Sequence, residues 1–144
     1  MSVVESVISP RSHEEREAVT KIVFDDLSRQ VVDAAFKVHQ TLGSGLLEGL
    51  YEECMAIELR KRNIAFERQK EIPVFYDGER VPATYRLDIV IEENLILELK
   101  SVIKILPAHE AQVLSYLKTS GIKAALLVNF GEPYFKAAIK RFVL

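Results

Sequence analysis

Asp88-Ile89-Val90-Ile91-Glu92-Glu93-Asn94-Leu95-Ile96-Leu97-Glu98-Leu99-Lys100 holds two apolar runs separated by a polar turn. The runs read as an antiparallel hairpin. Side chains alternate across a strand, so Glu98 and Lys100 share one face while Leu97 and Leu99 share the other. Partners across the hairpin share a face, and a slip of one residue reverses every side chain. A three-residue loop of Glu92, Glu93 and Asn94 pairs Ile91 with Leu95 and sets Asp88 opposite Glu98. A two-residue loop of Glu93 and Asn94 pairs Asp88 with Leu99 and scatters the group. With the first register, or a bulge that restores its parity, two carboxylates and an ammonium converge, which is equipment for holding a divalent cation beside a water. The plain alternative is an exposed hairpin with an ordinary surface Glu and Lys, and isolated D…ExK matches are common by chance.

The 144 residues suit one domain with a hydrophobic core; apolar content is 49%, charged content 28%. The net charge of −2 gives no global basic field, which argues against strong non-specific nucleic-acid binding but leaves room for a local basic groove. A single cysteine, Cys54, excludes a disulfide framework and a cysteine-built zinc site, and reads as a small core residue. No basic-then-apolar leader opens the sequence and no apolar run reaches membrane-spanning length, so the expected compartment is the cytoplasm, with no membrane partner.

Outward from the hairpin, residues 1–26 are polar and mixed and predict an arm or peripheral helix, and residues 27–144 a single domain. Val31, Val32, Ala35, Phe36, Val38, His39 and Leu42 recur at helical spacing, with Ser28 as the expected N-cap. Gly43-Ser44-Gly45 breaks that helix. A second runs over about 47–62, with Leu47, Leu50, Tyr51, Cys54, Met55 and Leu59 as its apolar stripe and Asn63 as a left-handed cap. Residues 65–76 read as a strand, with Pro73 at an edge or bulge. Asp77-Gly78 is a hairpin turn, and strands over 81–91 and 95–101 follow. Pro107 opens a helix that Gly121 closes. Ala124–Val128 reads as a buried strand, and 138–144 as a final strand. The helix between two strands predicts a crossover and a mixed α/β sheet with helices on its faces.

Other residues could carry chemistry. His109, Gln112 and Tyr116 share one face of the helix after Lys100, opposite Val113, Leu114 and Leu117. They either stand beside Glu98 and Lys100 or form a solvated face. Glu48 opens the second helix, where the dipole favours an acid, and Tyr51 shares its face. His39 reads as a capping or packing residue. There is no glycine-rich phosphate loop, nucleophile elbow or His-x-x-x-His pair.

Gly45-Leu46-Leu47-Glu48-Gly49-Leu50-Tyr51 resembles the Gly-x-x-Glu-x-x-Tyr signature of the GxxExxY protein family. Val38–Gly43, Arg68-Gln69-Lys70, Leu87-Asp88, Glu98-Leu99-Lys100, His109–Gln112 and Asn129-Phe130-Gly131 are similar to further blocks of it, over about residue 27 to the C-terminus. That family is regarded as a branch of the PD-(D/E)XK nuclease superfamily, whose core order of helix, three strands, helix and strand agrees with the order above. One departure is Leu87, where the pattern has proline.

The resemblance implies a restriction-endonuclease-like fold and a metal-dependent nuclease acting on nucleic acid, foremost DNA. It implies Asp88, Glu98 and Lys100 as the central triad, Glu48 as the acid on the preceding helix, and Gln112 and Tyr116 as a Gln-x-x-x-Tyr pair. Mg²⁺ or Mn²⁺ would be held by Asp88, Glu98 and the Leu99 carbonyl, with Glu48 acting through water or supporting a second metal; Lys100 would orient the attacking water. Two other readings stay open. One is a catalytically silent binding module or subunit of a larger assembly, favoured by the small size and slightly acidic charge. The other is hydrolysis of a small phosphodiester. Arg60-Lys61-Arg62, Arg68 and Lys70 form either a local basic groove or a solvated helix end. So small a core also leaves room for a homodimer.

Overall fold

The computed structural model describes residues 3–6 and 25–144. Strand β1 (Val3–Ser6) is followed by helices α1 (Asp26–Leu42) and α2 (Glu48–Lys61). Strands β2 (Phe66–Tyr76), β3 (Glu79–Ile91) and β4 (Leu95–Lys100) come next, then α3 (Pro107–Ser120), β5 (Ala124–Asn129), a short 3-10 turn and β6 (Ile139–Val143). The sheet order is β1-β6-β5-β4-β3-β2. Among the described residues only β4 and β5 pair in parallel, joined through α3, and the other strand pairs are antiparallel. This is the mixed α/β sheet with a crossover that the element order predicts. β1 pairs with β6; residues 1–2 and 7–24 of the expected arm lie outside the described residues.

Alternation along the central strands sends side chains into two cores. Ile89, Ile91, Leu95, Leu97, Leu99, Leu126 and Val128 pack beneath α1 and α2 with Val31, Ala35, Tyr51, Met55 and Leu59. Val90, Ile96, Ala125 and Leu127 pack beneath α3 with Val113, Tyr116 and Leu117. β4 and β5 are therefore apolar on both faces, as expected of strands covered twice.

The turns follow their residues. Asp77 and Gly78 both take positive φ, Asn63 is left-handed, and Gly121 ends α3 in the left-handed region. The β2–β3 register shifts between Pro73 and Phe75, on an edge strand. Two expectations need correction. Asp25, not Ser28, caps α1: its Oδ1 accepts the Ser28 amide at 2.7 Å, and Ser28 is buried inside the first turn. Leu47 and Leu50 do not belong to the buried stripe of α2, since Leu47 is 82% exposed and Leu50 is also exposed. The buried line runs through Tyr51, Met55 and Leu59, one turn apart, and the glycine-bounded entry to α2 sets the first turn outside the core.

Candidate active site

The hairpin takes the three-residue loop. Ile91 pairs with Leu95, Val90 with Ile96 and Ile89 with Leu97, and Glu92 and Glu93 both have positive φ. The ladder stops at Ile89, and from there β3 leaves β4. At this fork the side chains take over the backbone hydrogen bonds. Glu98 Oε1 accepts the Asp88 amide at 3.0 Å, and Asp88 Oδ2 accepts the Leu99 amide at 2.9 Å. Each carboxyl is thus locked to the partner strand's backbone.

Two further irregularities shape the fork. Gln69, between the β2–β3 pairs Arg68–Ile89 and Lys70–Leu87, has a φ of 50°, a left-handed conformation rare for a residue with a side chain. Strict alternation also breaks here. Leu87 and Val90 both belong to the α3 core, whereas Ile89 and Ile91 lie under α1 and α2. The far part of the β2–β3 hairpin is consequently turned so that Ile72, Tyr85 and Leu87 fold over α3, with Tyr85 and Tyr116 rings 5.1 Å apart.

An open cleft of about 650 Å³ lies at the fork, lined by Glu48, Glu52, Gln69, Arg86, Asp88, Glu98, Lys100, Gln112 and Tyr116, among others. Six residues singled out in the sequence, Glu48, Asp88, Glu98, Lys100, Gln112 and Tyr116, therefore share one surface. His109 does not line it; its Nδ1 accepts the Leu106 amide at 2.9 Å and caps α3.

Glu48 reaches the cleft because the turn before it is tied down. Tyr51 donates to the Gly43 carbonyl at 2.6 Å and accepts from the Leu46 amide at 3.1 Å. Its ring stacks on Phe130 at 4.2 Å. The Gly45 amide donates to the Phe130 carbonyl at 3.0 Å, and Ser101 donates to the Leu46 carbonyl. His39 is buried against Phe130 and Phe135 and donates through Nε2 to the Glu132 carbonyl at 2.7 Å, a packing role. Asn129, 3% exposed, accepts the Val102 and Gly131 amides and donates to the Val102 carbonyl. This fixes the segment after Lys100.

Burial dominates the electrostatics. Glu98 is 3% exposed, and loss of solvent, followed by the nearby Asp88 charge, pushes its pKa up to about 9. Burial also raises Asp88, against the lowering influence of the Leu99 amide. Glu48 is raised by desolvation first and by Asp88 second. Tyr116 is raised by burial and then by Glu98, so its hydroxyl keeps its proton through the neutral range. Two crowded carboxyls retaining a proton form a site that a cation would relieve. Among the described residues, no three His, Cys, Asp or Glu side chains form a ready metal cage. The donor set of two hard carboxylates beside an open cleft fits a cation such as Mg²⁺ that leaves several positions to water or phosphate.

The residues missed in the sequence are Glu52 and Glu53, which engage Arg68, a residue expected in a basic groove or a solvated helix end. Arg68 binds Glu52 at 2.7 and 3.0 Å and Glu53 at 2.6 and 3.1 Å, while Gln69 donates to Glu52. The i, i+4 spacing of Glu48 and Glu52 was the available signal. Arg68 is thus occupied by carboxylates, Lys70 pairs with Glu67, and Lys61 lies near Glu58. These cations do not make a free basic groove.

No helix among the described residues is long and apolar enough to cross a membrane. No curated protein and no solved structure gives a significant match to the chain. Nucleases of the superfamily whose family model matches the chain generally depend on a divalent metal. The family model of that superfamily matches residues 25–142, which hold the three helices, strands β2 to β5, most of β6 and the whole cleft, and the chain belongs to the PD-(D/E)XK nuclease superfamily.

Proposed function

We propose that the protein is a divalent-metal-dependent nuclease of the GxxExxY branch, hydrolysing phosphodiester bonds in DNA. One observation carries the reading: Asp88 and Glu98 meet across the strand fork in an open cleft that Lys100 also lines. Asp88 and Glu98 would hold Mg²⁺ or Mn²⁺ with the Leu99 carbonyl, and Glu48 would support it through water. The cation, when bound, supplies Lewis-acid polarisation of the phosphate and a more acidic water.

The chain's own groups do the rest. Lys100 orients the attacking water and places positive charge beside the oxyanion that forms on phosphorus. Gln112 donates its amide hydrogens to a phosphate oxygen. Tyr116, protonated at neutral pH, offers a hydroxyl donor from the opposite wall. The Tyr51–Phe130 stack holds the α2 entry rigid, so Glu48 is pre-positioned rather than recruited. An open cleft suits a polymer better than a small phosphodiester, which favours a closed pocket.

The test is cleavage of plasmid and labelled linear DNA in Mn²⁺, comparing wild type with Asp88→Ala and Lys100→Ala. Both variants should lose cleavage while keeping a cooperative thermal transition. Cleavage retained by either variant refutes its assignment, and absence of cleavage and of Mn²⁺ binding in the wild type favours a silent binding module.

A further inference from the structure

The β2–β3 hairpin runs far beyond the sheet. β3 pairs with β4 only over Ile89–Ile91, yet pairs with β2 out to Glu79. The ten residues from Asp88 to Glu79 extend about 30 Å at ordinary strand rise. One face of this ribbon is used: Ile72, Tyr85 and Leu87 cover α3. The other carries Glu71, Pro73 and Phe75 on β2 opposite Arg86, Thr84 and Arg80 on β3, and all six are exposed. Phe75 is 60% exposed and Tyr76, at the tip, 76%.

This face is continuous with the catalytic cleft. Thr84 and Arg86 line the cleft together with Asp88, and Arg80 to Thr84 line a second concavity of about 440 Å³ farther out. Arg80 and Arg86 enter no ion pair with the described residues, unlike Arg68 and Lys70. A cleft that ends in carboxylates is thus extended by a track bearing two guanidiniums, one of them paired in register across the ribbon with Glu71, a hydroxyl and the Phe75 ring, with the Tyr76 ring at its tip. Guanidinium forks suit phosphate oxygens. Exposed rings at a ribbon tip suit a base face, and such stacking requires a base free of its own neighbours.

Resting on the nuclease reading, the geometry points to the outer β2–β3 ribbon as the binding site for an unpaired polynucleotide strand flanking the scissile phosphate. Arg86 and Arg80, about 20 Å apart along β3 at ordinary strand rise, contact phosphates several nucleotides apart, Phe75 stacks a base, and Tyr76 adds a second ring at the tip. The enzyme would accordingly prefer single strands, or duplexes with an unpaired tail, over blunt duplex.

The test uses the full chain and fluorescein-labelled 20-mers of DNA and RNA as single strand, blunt duplex and tailed duplex. Anisotropy is read in Ca²⁺ and cleavage in Mn²⁺. Wild type should bind single-stranded or tailed probes at least tenfold more tightly than blunt duplex. Phe75→Ala/Tyr76→Ala and Arg80→Ala should each lose about tenfold or more of that affinity, raising KM with kcat kept. Unchanged affinity in these variants, or equal wild-type affinity for all probes, overturns the ribbon assignment even if Asp88-dependent cleavage is seen. Ribbon-dependent binding without cleavage supports the ribbon and sinks the nuclease reading. No binding to any probe overturns both.

Discussion

Replacing Glu98 with Gln should stabilise the metal-free protein at alkaline pH while destroying its use of metal. The Glu98 carboxyl titrates near 4.5 when free and is pushed to about 9 in the fold, chiefly by burial and then by Asp88. Between those values the folded chain holds a proton that the unfolded chain has lost. Stability therefore falls as pH rises, by at most about 1.4 kcal/mol per pH unit for one proton. Over pH 6 to 8 that is a loss of up to about 3 kcal/mol. Glutamine retains an oxygen for the Asp88 amide and donor hydrogens for the Asp88 carboxylate, but does not titrate. Urea unfolding in EDTA at pH 6, 7 and 8 should show a falling wild-type stability and a flatter variant. Saturating Mn²⁺ should flatten the wild type, because the cation replaces the proton, and leave Glu98→Gln unchanged. Parallel wild-type and variant curves in EDTA would refute the shared-proton argument.

Other perturbations separate chemistry from support. Mn²⁺ binding to the wild type should release protons at pH 7, seen in calorimetry as a heat that depends on buffer ionisation enthalpy, and should weaken as pH falls; Asp88→Ala/Glu98→Ala should show neither. Tyr51→Phe removes the hydrogen bonds to Gly43 and Leu46 but keeps the ring on Phe130; it should cost about 1–2 kcal/mol in urea unfolding and lower kcat through Glu48. Asn129→Ala strands two amides and a carbonyl and should cost about 3 kcal/mol by thermal or urea unfolding. Gly131→Ala places a Cβ 2.1 Å from the Val102 carbonyl oxygen, and should cost about 3 kcal/mol or more in the same assay.

Much of this architecture was legible in residue order because local rules and packing agree. The parity that brings Asp88 to Glu98 was one of two registers open in the sequence, and the fold takes it through a three-residue loop with Glu92 and Glu93 at positive φ. The bulge beyond Pro73, the turn at Asp77-Gly78 and the stop at Gly121 are backbone chemistry that tertiary contacts did not override. What could not be read depends on competition between neighbours or on partners distant in sequence. Ser28 satisfies every local criterion for a cap, but Asp25 reaches its amide first. Leu47 has the right spacing for the core but lies in a turn held outward by Tyr51 and Phe130. Arg68 reads as a free cation until α2 brings Glu52 and Glu53 against it. The left-handed Gln69 has no signal in its own type, since neither glycine nor asparagine stands there. The six clustered site residues come from four elements, and only Glu98 and Lys100 are fixed together by strand periodicity alone.

The strand fork gives the protein two built-in spectroscopic reporters. The Asp88 and Leu99 amides donate not to carbonyls but to the carboxyls of Glu98 and Asp88. Any change of charge on those carboxyls, by proton or by cation, must alter the polarisation of these two N–H bonds. Their ¹⁵N and ¹H resonances should move together on titration, while Ile89 and Leu97, held in the ordinary ladder, stay in place. A label-free readout of the site at single-residue resolution is therefore written into the backbone.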